Sequence, residues 1–338
     1  MSDRIVVYTT MKNEGPFMID WVSYYLSLGV EHFLIYTNDC DDGTDLIAKR
    51  LEHLGVATHV DNSVKPGQSP QNTMLRRVRS HPRFLDADWT FGLDVDEYLN
   101  IRLPNPSLHD LLKKLEETAD GPFDVASFAW KIFGCGGVED FVDTPVAEQF
   151  FLCDIEQGFY SGVAGGLKSI TRNNGLFTRY GPHRPKGVAP ERIAEVRWVD
   201  GGGQLLDPEA ITWRAKPGYR HDFARLHHYV TRSIGSFLVK RDRGKTNHIH
   251  DDQAEAYWHN MNANLVEDRT ILPLWDRATA EKARLAKDDQ LMSLHERACF
   301  WHRQKISELY ERQDWAEFRA FLHHYKTDRP ARWPLSAG

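Results

Sequence analysis

The sequence predicts an α/β fold, a largely parallel mixed sheet flanked by helices, with a helical tail at the C-terminus. Three observations carry this expectation. Strand-like and helix-like runs alternate through the N-terminal third, the strand-like runs end in polar or acidic loops, and from residue 277 onward the pattern turns helical. Residues 4–10, RIVVYTT, have the β-branched and aromatic content of a strand. NEGPFMIDWVSYYLSLG then takes a helical period, with Pro16 suited to its first turn, Phe17, Trp21, Tyr24 and Leu28 on one face, and Gly29 at its stop. HFLIYTND is a second strand. The CDDGT turn leads into TDLIAKRLEHLG, a helix that Thr44 can cap and Gly55 ends, and VATHVD is a third strand. Strands joined through helices imply parallel crossovers, whose ligands gather at the strands' C-terminal ends.

Residues 70–80, PQNTMLRRVRS, supply another helix before the strand-like WTFGLDVDEYL. Between about 120 and 235 the pattern is mixed: FDVASFAW, EVRWV and ARLHHYV read as strands between glycine-rich turns, and predict an antiparallel extension. Beyond 277, Leu291, Leu294, Ala298 and Trp301 share a helical face. The expected organisation is a domain over 1–245, with a nucleotide-binding half over about 1–100 and an acceptor half over 101–245, followed by a helical extension over 246–338.

Composition narrows the function. With 338 residues, 41% apolar and 27% charged, and a mean hydropathy of −0.53, the chain is a globular one with no run of about 18 apolar residues and so no transmembrane segment. The N-terminus lacks the apolar core of a secretory leader, and the four cysteines lack CxxC spacing, so the expected location is the cytoplasm. A net charge of −6 argues against nucleic acid as partner. The amphipathic tail, ending in FLHHYKTDRPARWP, is expected to pack on the domain, with a peripheral contact with the inner membrane or a homodimer as alternatives.

The most informative stretch is FGLDVDEYL, residues 91–99. An apolar strand runs straight into Asp94, Asp96 and Glu97, and such packed anions repel unless a cation joins them. Two aspartates flanking one residue can address one divalent ion, and oxygen ligands suit Mn²⁺ or Mg²⁺. A solvated acidic turn is the plain alternative. LHHYVTRSIGSFLVKRDRG, residues 226–244, adds a histidine pair followed by Lys240, Arg241 and Arg243, with Lys245 next. Imidazole ligates Mn²⁺-type ions and the basic arm neutralises phosphate; on a strand His227 and His228 face opposite ways, so one of them enters the site.

Taken with MKNEG, YTNDCDDGT and WKIFGCGG, these residues resemble the bacterial glycosyltransferase 2-like family related to the DUF23, or family 92, glycosyltransferases, over roughly residues 4–245. The resemblance implies a GT-A fold, Rossmann-like in its nucleotide-binding half, and metal-dependent transfer of a sugar from a nucleotide-sugar donor to a glycan or lipid-linked acceptor, in bacterial surface polysaccharide synthesis. It implies Asp94, Asp96 and His228 as metal ligands, and Lys240 and Arg243 at the diphosphate. Gly235 and Ser236 depart from the family's acidic pair after Arg232 and Ser233, and Cys135 interrupts the small polar residues after Phe133 and Gly134.

Thr10, Lys12, Asn13 and Glu14 after the first strand, and Asn38 and Asp39 after the second, would then border the nucleoside, with Arg76 and Gln71 as further candidates; Glu14 could instead serve the positive end of the following helix. Trp130 or Phe133 offers a face for a sugar, and His183, Arg184 and Lys186 a grip on an anion. For an inverting displacement the expected base is Glu148, with Asp140 second. Two alternatives stand beside this reading: a nucleotidyltransferase, disfavoured because TTMKNEGPF carries one glycine, and a non-catalytic carbohydrate-binding protein.

Overall fold

The computed structural model describes residues 3–65, 67–155, 165–244 and 255–327. Lys245 and the RPARWP end of the tail lie outside them. Strand β1 (Ile5–Met11) sits fully buried between two parallel neighbours, β2 (His32–Thr37) and β4 (Trp89–Gly92), and β3 (Ala57–Asp61) extends the parallel set beyond β2. The crossovers are α1 (Gly15–Ser27), α2 (Thr44–His53), α3 (Pro70–Val78) and the short α4 (Pro82–Leu85). Each predicted element of this half is present. One detail differs: Gly43, in a left-handed conformation at φ 87, takes the position before α2. Thr44 instead donates its hydroxyl to Asp42 (2.6 Å) and accepts the Glu14 N–H (2.8 Å), which ties the start of α2 to the end of β1.

After β4 the chain turns into β5 (Glu97–Ile101), then α5 (Leu108–Thr118), β6 (Val125–Ile132), α6 (Val146–Gln149) and β7 (Leu152–Cys153). Next come β8 (Leu167–Arg172), β9 (Arg179–Tyr180), β10 (Pro185–Lys186), β11 (Trp198–Asp200), β12 (Leu205–Leu206) and β13 (Ala224–His228). The main sheet has the order β12-β11-β6-β8-β4-β1-β2-β3. The expected antiparallel extension is present only in part. Strand β8, which the sequence did not reveal, runs antiparallel between β4 and β6, but β11 and β13 run parallel to β6. Along the edge of β6, β13 takes over where β11 stops, and it pairs on its far side with β5; His228 thereby sits opposite Glu97 and beside Ile132.

The rest is helical apart from β14 (Val266–Glu267): α7 (Ile234–Asp242), α8 (Glu255–Met261), α9 (Leu272–Leu285), α10 (Asp289–Glu311) and α11 (Ala316–His324). Helix α1 is buried at every position but Leu26, the mark of a helix covered on all sides. The sheet covers one side; α9 and α10 cover the other. Lys282 of α9 bonds Asp20 of α1 at 2.8 Å, and Arg50 of α2 bonds Asp288, the capping residue of α10, at 2.5 Å. Leu291 and Ala298 of the predicted tail face are fully buried. No helix among the described residues is long and apolar enough to cross a membrane.

Candidate functional site

A cleft of about 610 Å³ opens at the C-terminal ends of β1 and β4. Its floor is the acidic turn. The Glu97 N–H donates to the Asp94 carbonyl (3.1 Å) and the Asp94 N–H donates back to the Glu97 carboxylate (2.8 Å), so Asp94, Val95 and Asp96 form a tight reversal between β4 and β5. Glu97 itself is wholly buried and also accepts from the Trp130 indole at 2.8 Å. Burial, helped by the neighbouring Asp94 and Asp96 charges, pushes its carboxyl up to about 8 against the pull of Lys168.

Lysines answer the like-charge problem. Lys168 of β8, 2% exposed, reaches Asp94 at 2.8 Å and Glu97 at 3.4 Å. Lys240 of α7 reaches Asp96 at 2.6 Å and also donates to the Val230 carbonyl. Burial works to raise the Asp96 pKa, but the Lys240 charge, with a hydrogen bond from His228, outweighs it and holds the carboxyl well below its usual range. His228 shows the reverse: burial lowers its pKa despite Asp96, so the ring enters the site neutral.

A second buried cluster fixes the basic arm. Glu14, at the junction of β1 and α1, bonds Arg243 (2.5 Å) with one oxygen and Arg232 (2.8 Å) with the other. Burial alone would raise the Glu14 pKa; the two guanidiniums win and lower it. Arg243 also donates to the Lys12 carbonyl, and Arg232 stacks on Phe17 at 3.5 Å. Arg232 and Asn13 hold positive φ values of 51 and 52, conformations that residues with side chains adopt only when the surroundings impose them.

The fold brings together Thr10, Lys12, Glu14, Gln71, Asp94, Asp96, Trp130, His183, Lys186, His228, Lys240 and Arg243 in the cleft lining. The other expected residues lie elsewhere. Asn13 exchanges hydrogen bonds with Asp41, Asn38 donates to Asp39, and exposed Arg76 folds back onto Thr73 of its own helix. Phe133 is enclosed by the rings of His227 and Tyr229 in the core. Glu148 and Asp140 are exposed and do not line the cleft; in the same stretch Glu139 bonds Lys326 and Asp143 bonds His295. Lys168, Arg232, Trp213, Tyr257 and Met261 are further site residues that the sequence reading did not find. Two of them left a signal: Lys168 is a lone lysine in the otherwise uncharged GLKSI run, and Arg232 is the arginine of the HHYVTRS stretch.

The donor set fits a divalent ion in its chemistry: two carboxylates and a neutral imidazole whose Nδ1 is buried without a hydrogen-bond partner. His228 Nε2 stands 3.4 Å from Asp96, longer than the usual bond of about 2.9 Å. Their ligand atoms are not drawn tightly together; among the described residues the trio lying within 4.8 Å of one another is Asp143, His295 and Cys299, on α10 and the loop beneath it.

Fold and cleft together define an α/β protein with a charged cleft at the carboxyl edge of its parallel strands. The sequence profile of Glycosyltransferase family 92 matches residues 9–135, just over a third of the chain, and stops before the HHYVTRSIG stretch. A glycosyltransferase family 92 protein of Ricinus communis is 27% identical over 98 residues, 29% of this chain and 17% of that protein. One of Arabidopsis thaliana is 30% identical over 97 residues, 28% and 16% of the two chains. These relatives are plant proteins, not bacterial ones, and the matched part spans about a sixth of their length. Among solved structures, S. aureus TarS 1-349 in complex with UDP aligns at TM-score 0.35 and 12% identity over 99% of this chain and 95% of that one. The glucosyl-3-phosphoglycerate synthase of Mycobacterium tuberculosis, with Mn²⁺ and UDP, aligns at TM-score 0.26 and 16% identity over 38% and 44%.

Proposed function

We propose that the chain is a glycosyltransferase of the GT-A type that takes a nucleoside-diphosphate sugar, UDP-linked in the first instance, and passes the sugar with inversion to a glycan or lipid-linked acceptor. The observation that carries the reading is the cleft's charge: Lys12, Lys168, Lys186, Lys240 and Arg243 outnumber Glu14, Asp94 and Asp96 in its lining, beside a neutral histidine. A diphosphate satisfies the surplus cations. Lys240 and Arg243 would meet the charge that grows on the diphosphate as the glycosidic bond breaks, an interaction that favours the transition state over the bound donor. Asp94, Asp96 and His228 would hold Mn²⁺ or Mg²⁺, which supplies further neutralisation of the leaving group. Surface polysaccharide synthesis at the cytoplasmic face of a bacterial inner membrane is the setting that goes with this reading. The nucleotidyltransferase alternative keeps the single glycine of TTMKNEGPF against it.

The test is a thermal-shift screen of UDP, UDP-sugars, ATP and CTP, each with and without Mn²⁺. Stabilisation by UDP and at least one UDP-sugar that grows with Mn²⁺ is the expected result; at a ligand concentration of 100 Kd it amounts to about 2.7 kcal/mol. Stabilisation by ATP or CTP alone favours the nucleotidyltransferase, and no response to any nucleotide the binding protein.

A further inference from the structure

The diphosphate reading leaves one wall of the cleft unused. Four rings follow one another along it: His228 to Trp130 at 4.4 Å between centroids, Trp130 to His183 at 5.5 Å, and His183 to Trp213 at 5.5 Å. The series begins beside Asp96 and ends at the surface, where Trp130 is 8% exposed and Trp213 38%. Trp130 cannot swing away, because its indole N–H is held by Glu97 and its ring lies on Gly166, where a Cβ would stand 2.3 Å from a ring carbon. Trp213 is steadied by the Arg214 guanidinium at 4.2 Å.

His183 has a defined polarity. Its Nδ1 lies 3.0 Å from the Leu167 carbonyl, which can only accept, so Nδ1 carries the proton and Nε2 keeps its lone pair. Burial, with Lys168 nearby, brings the ring's pKa down to about 4, which leaves it neutral at neutral pH. Among the described residues nothing donates to Nε2. An aromatic face next to a bare acceptor nitrogen complements a molecule with one apolar face and a hydroxyl rim. A pyranose ring has that shape.

We infer that this wall is the acceptor subsite, that the acceptor is a saccharide whose ring lies against Trp213, and that His183 Nε2 receives the proton of the attacking hydroxyl. The inference rests on the donor reading above. In the step, the hydroxyl oxygen bonds to the anomeric carbon as that carbon's bond to the diphosphate oxygen breaks. The diphosphate leaves with the electron pair toward Lys240 and Arg243. The proton moves to His183, which passes it on to water. Glu148 and Asp140, exposed and outside the cleft, are replaced in this role.

Saturation-transfer NMR with UDP and a panel of soluble di- to tetrasaccharides of glucose, galactose and mannose tests the subsite. At least one saccharide is expected to receive saturation from wild-type protein, to lose it at least fivefold in Trp213→Ala, and to keep it in Trp213→Phe. No saccharide signal in a protein that binds UDP, or a signal indifferent to Trp213→Ala, overturns the subsite and leaves the donor reading standing. Failure of UDP to bind overturns the donor reading itself. For the bound saccharide, His183→Gln is expected to lower transfer kcat at least 100-fold with KM within threefold, whereas an unchanged kcat removes His183 from the proton's path.

Discussion

At the scale of single residues, the site depends on close approaches that tolerate no added atoms. Gly166 is the clearest case: its backbone needs no left-handed freedom, yet a methyl there would meet the Trp130 ring at 2.3 Å. Trp130 is pinned by Glu97 on one side and packed against the tilted ring of His228 at 4.4 Å, so it cannot yield without disturbing the acidic turn. Gly166→Ala should therefore destabilise the protein by about 1–3 kcal/mol, measured as a shift in urea midpoint, a cost typical of overpacking. An unchanged midpoint would mean that Trp130 has another place to go. Glu14 is the second case. Its two oxygens neutralise Arg232 and Arg243, both almost fully buried, and Glu14→Gln leaves two cations with half their partners. Breaking a buried pair of this kind costs about 3–5 kcal/mol, and the same denaturation experiment reads it.

Among the elements, β13 and α7 act as one device. Strand β13 carries His228 to the acidic turn, the Tyr229 N–H donates to the Asp96 carbonyl at 2.8 Å, and α7, capped by Ser233, then presents Lys240 to the Asp96 carboxylate. Arg243, one residue past α7, reaches back to the end of β1. On the proposed reading Arg243 meets the departing diphosphate, so Arg243→Ala should lower kcat more than it raises the donor KM. A change confined to KM would assign Arg243 to ground-state binding. Much of this device is legible in the sequence, because the histidine and the basic residues follow one another within a single stretch. Lys168 is legible only as the lone lysine of GLKSI; the antiparallel pairing of β8 with β4 that carries it to Asp94 is written in no local pattern.

For the whole molecule, two expectations concern charge. First, donor binding measured by thermal shift should lose its Mn²⁺-dependent part in Asp96→Ala and His228→Ala, and wild-type activity should disappear after exhaustive EDTA treatment. Activity that survives EDTA would remove the metal and leave Lys168 and Lys240 as the neutralising groups. Second, stability should fall as pH drops from 7 to 5. Burial is the first cause holding His32 and His183 at about 4 and His302 at about 3, below the value of about 6.5 of an unfolded chain. The unfolded state binds the protons first, so their stabilising contribution is complete above about pH 6.5 and is lost as pH falls toward the folded values. Each contributes up to about 1.4 kcal/mol per pH unit in that window. Urea midpoints at pH 7, 6 and 5 check the sign; a midpoint that rises on acidification contradicts it.

What the sequence by itself determined was the β-α-β-α-β start, the strand ending in Asp94, Asp96 and Glu97, and the histidine with its basic arm. These are local: hydrophobic period, turn residues and short motifs write them directly into the chain. Tertiary structure alone decided what balances the charges and what shares the cleft. Lys168 comes from a strand 74 residues away from Asp94, and Glu14 meets Arg232 across 218 residues. The same limit bears on the proposed base. Asp140 and Glu148 have the chemistry of a base, but the structure leaves both exposed and outside the cleft lining. His183, in a turn between two short strands, is carried to the cleft wall instead. Carboxylate chemistry is fixed by residue type, whereas its direction depends on contacts made by chain segments far apart, which no window of sequence contains.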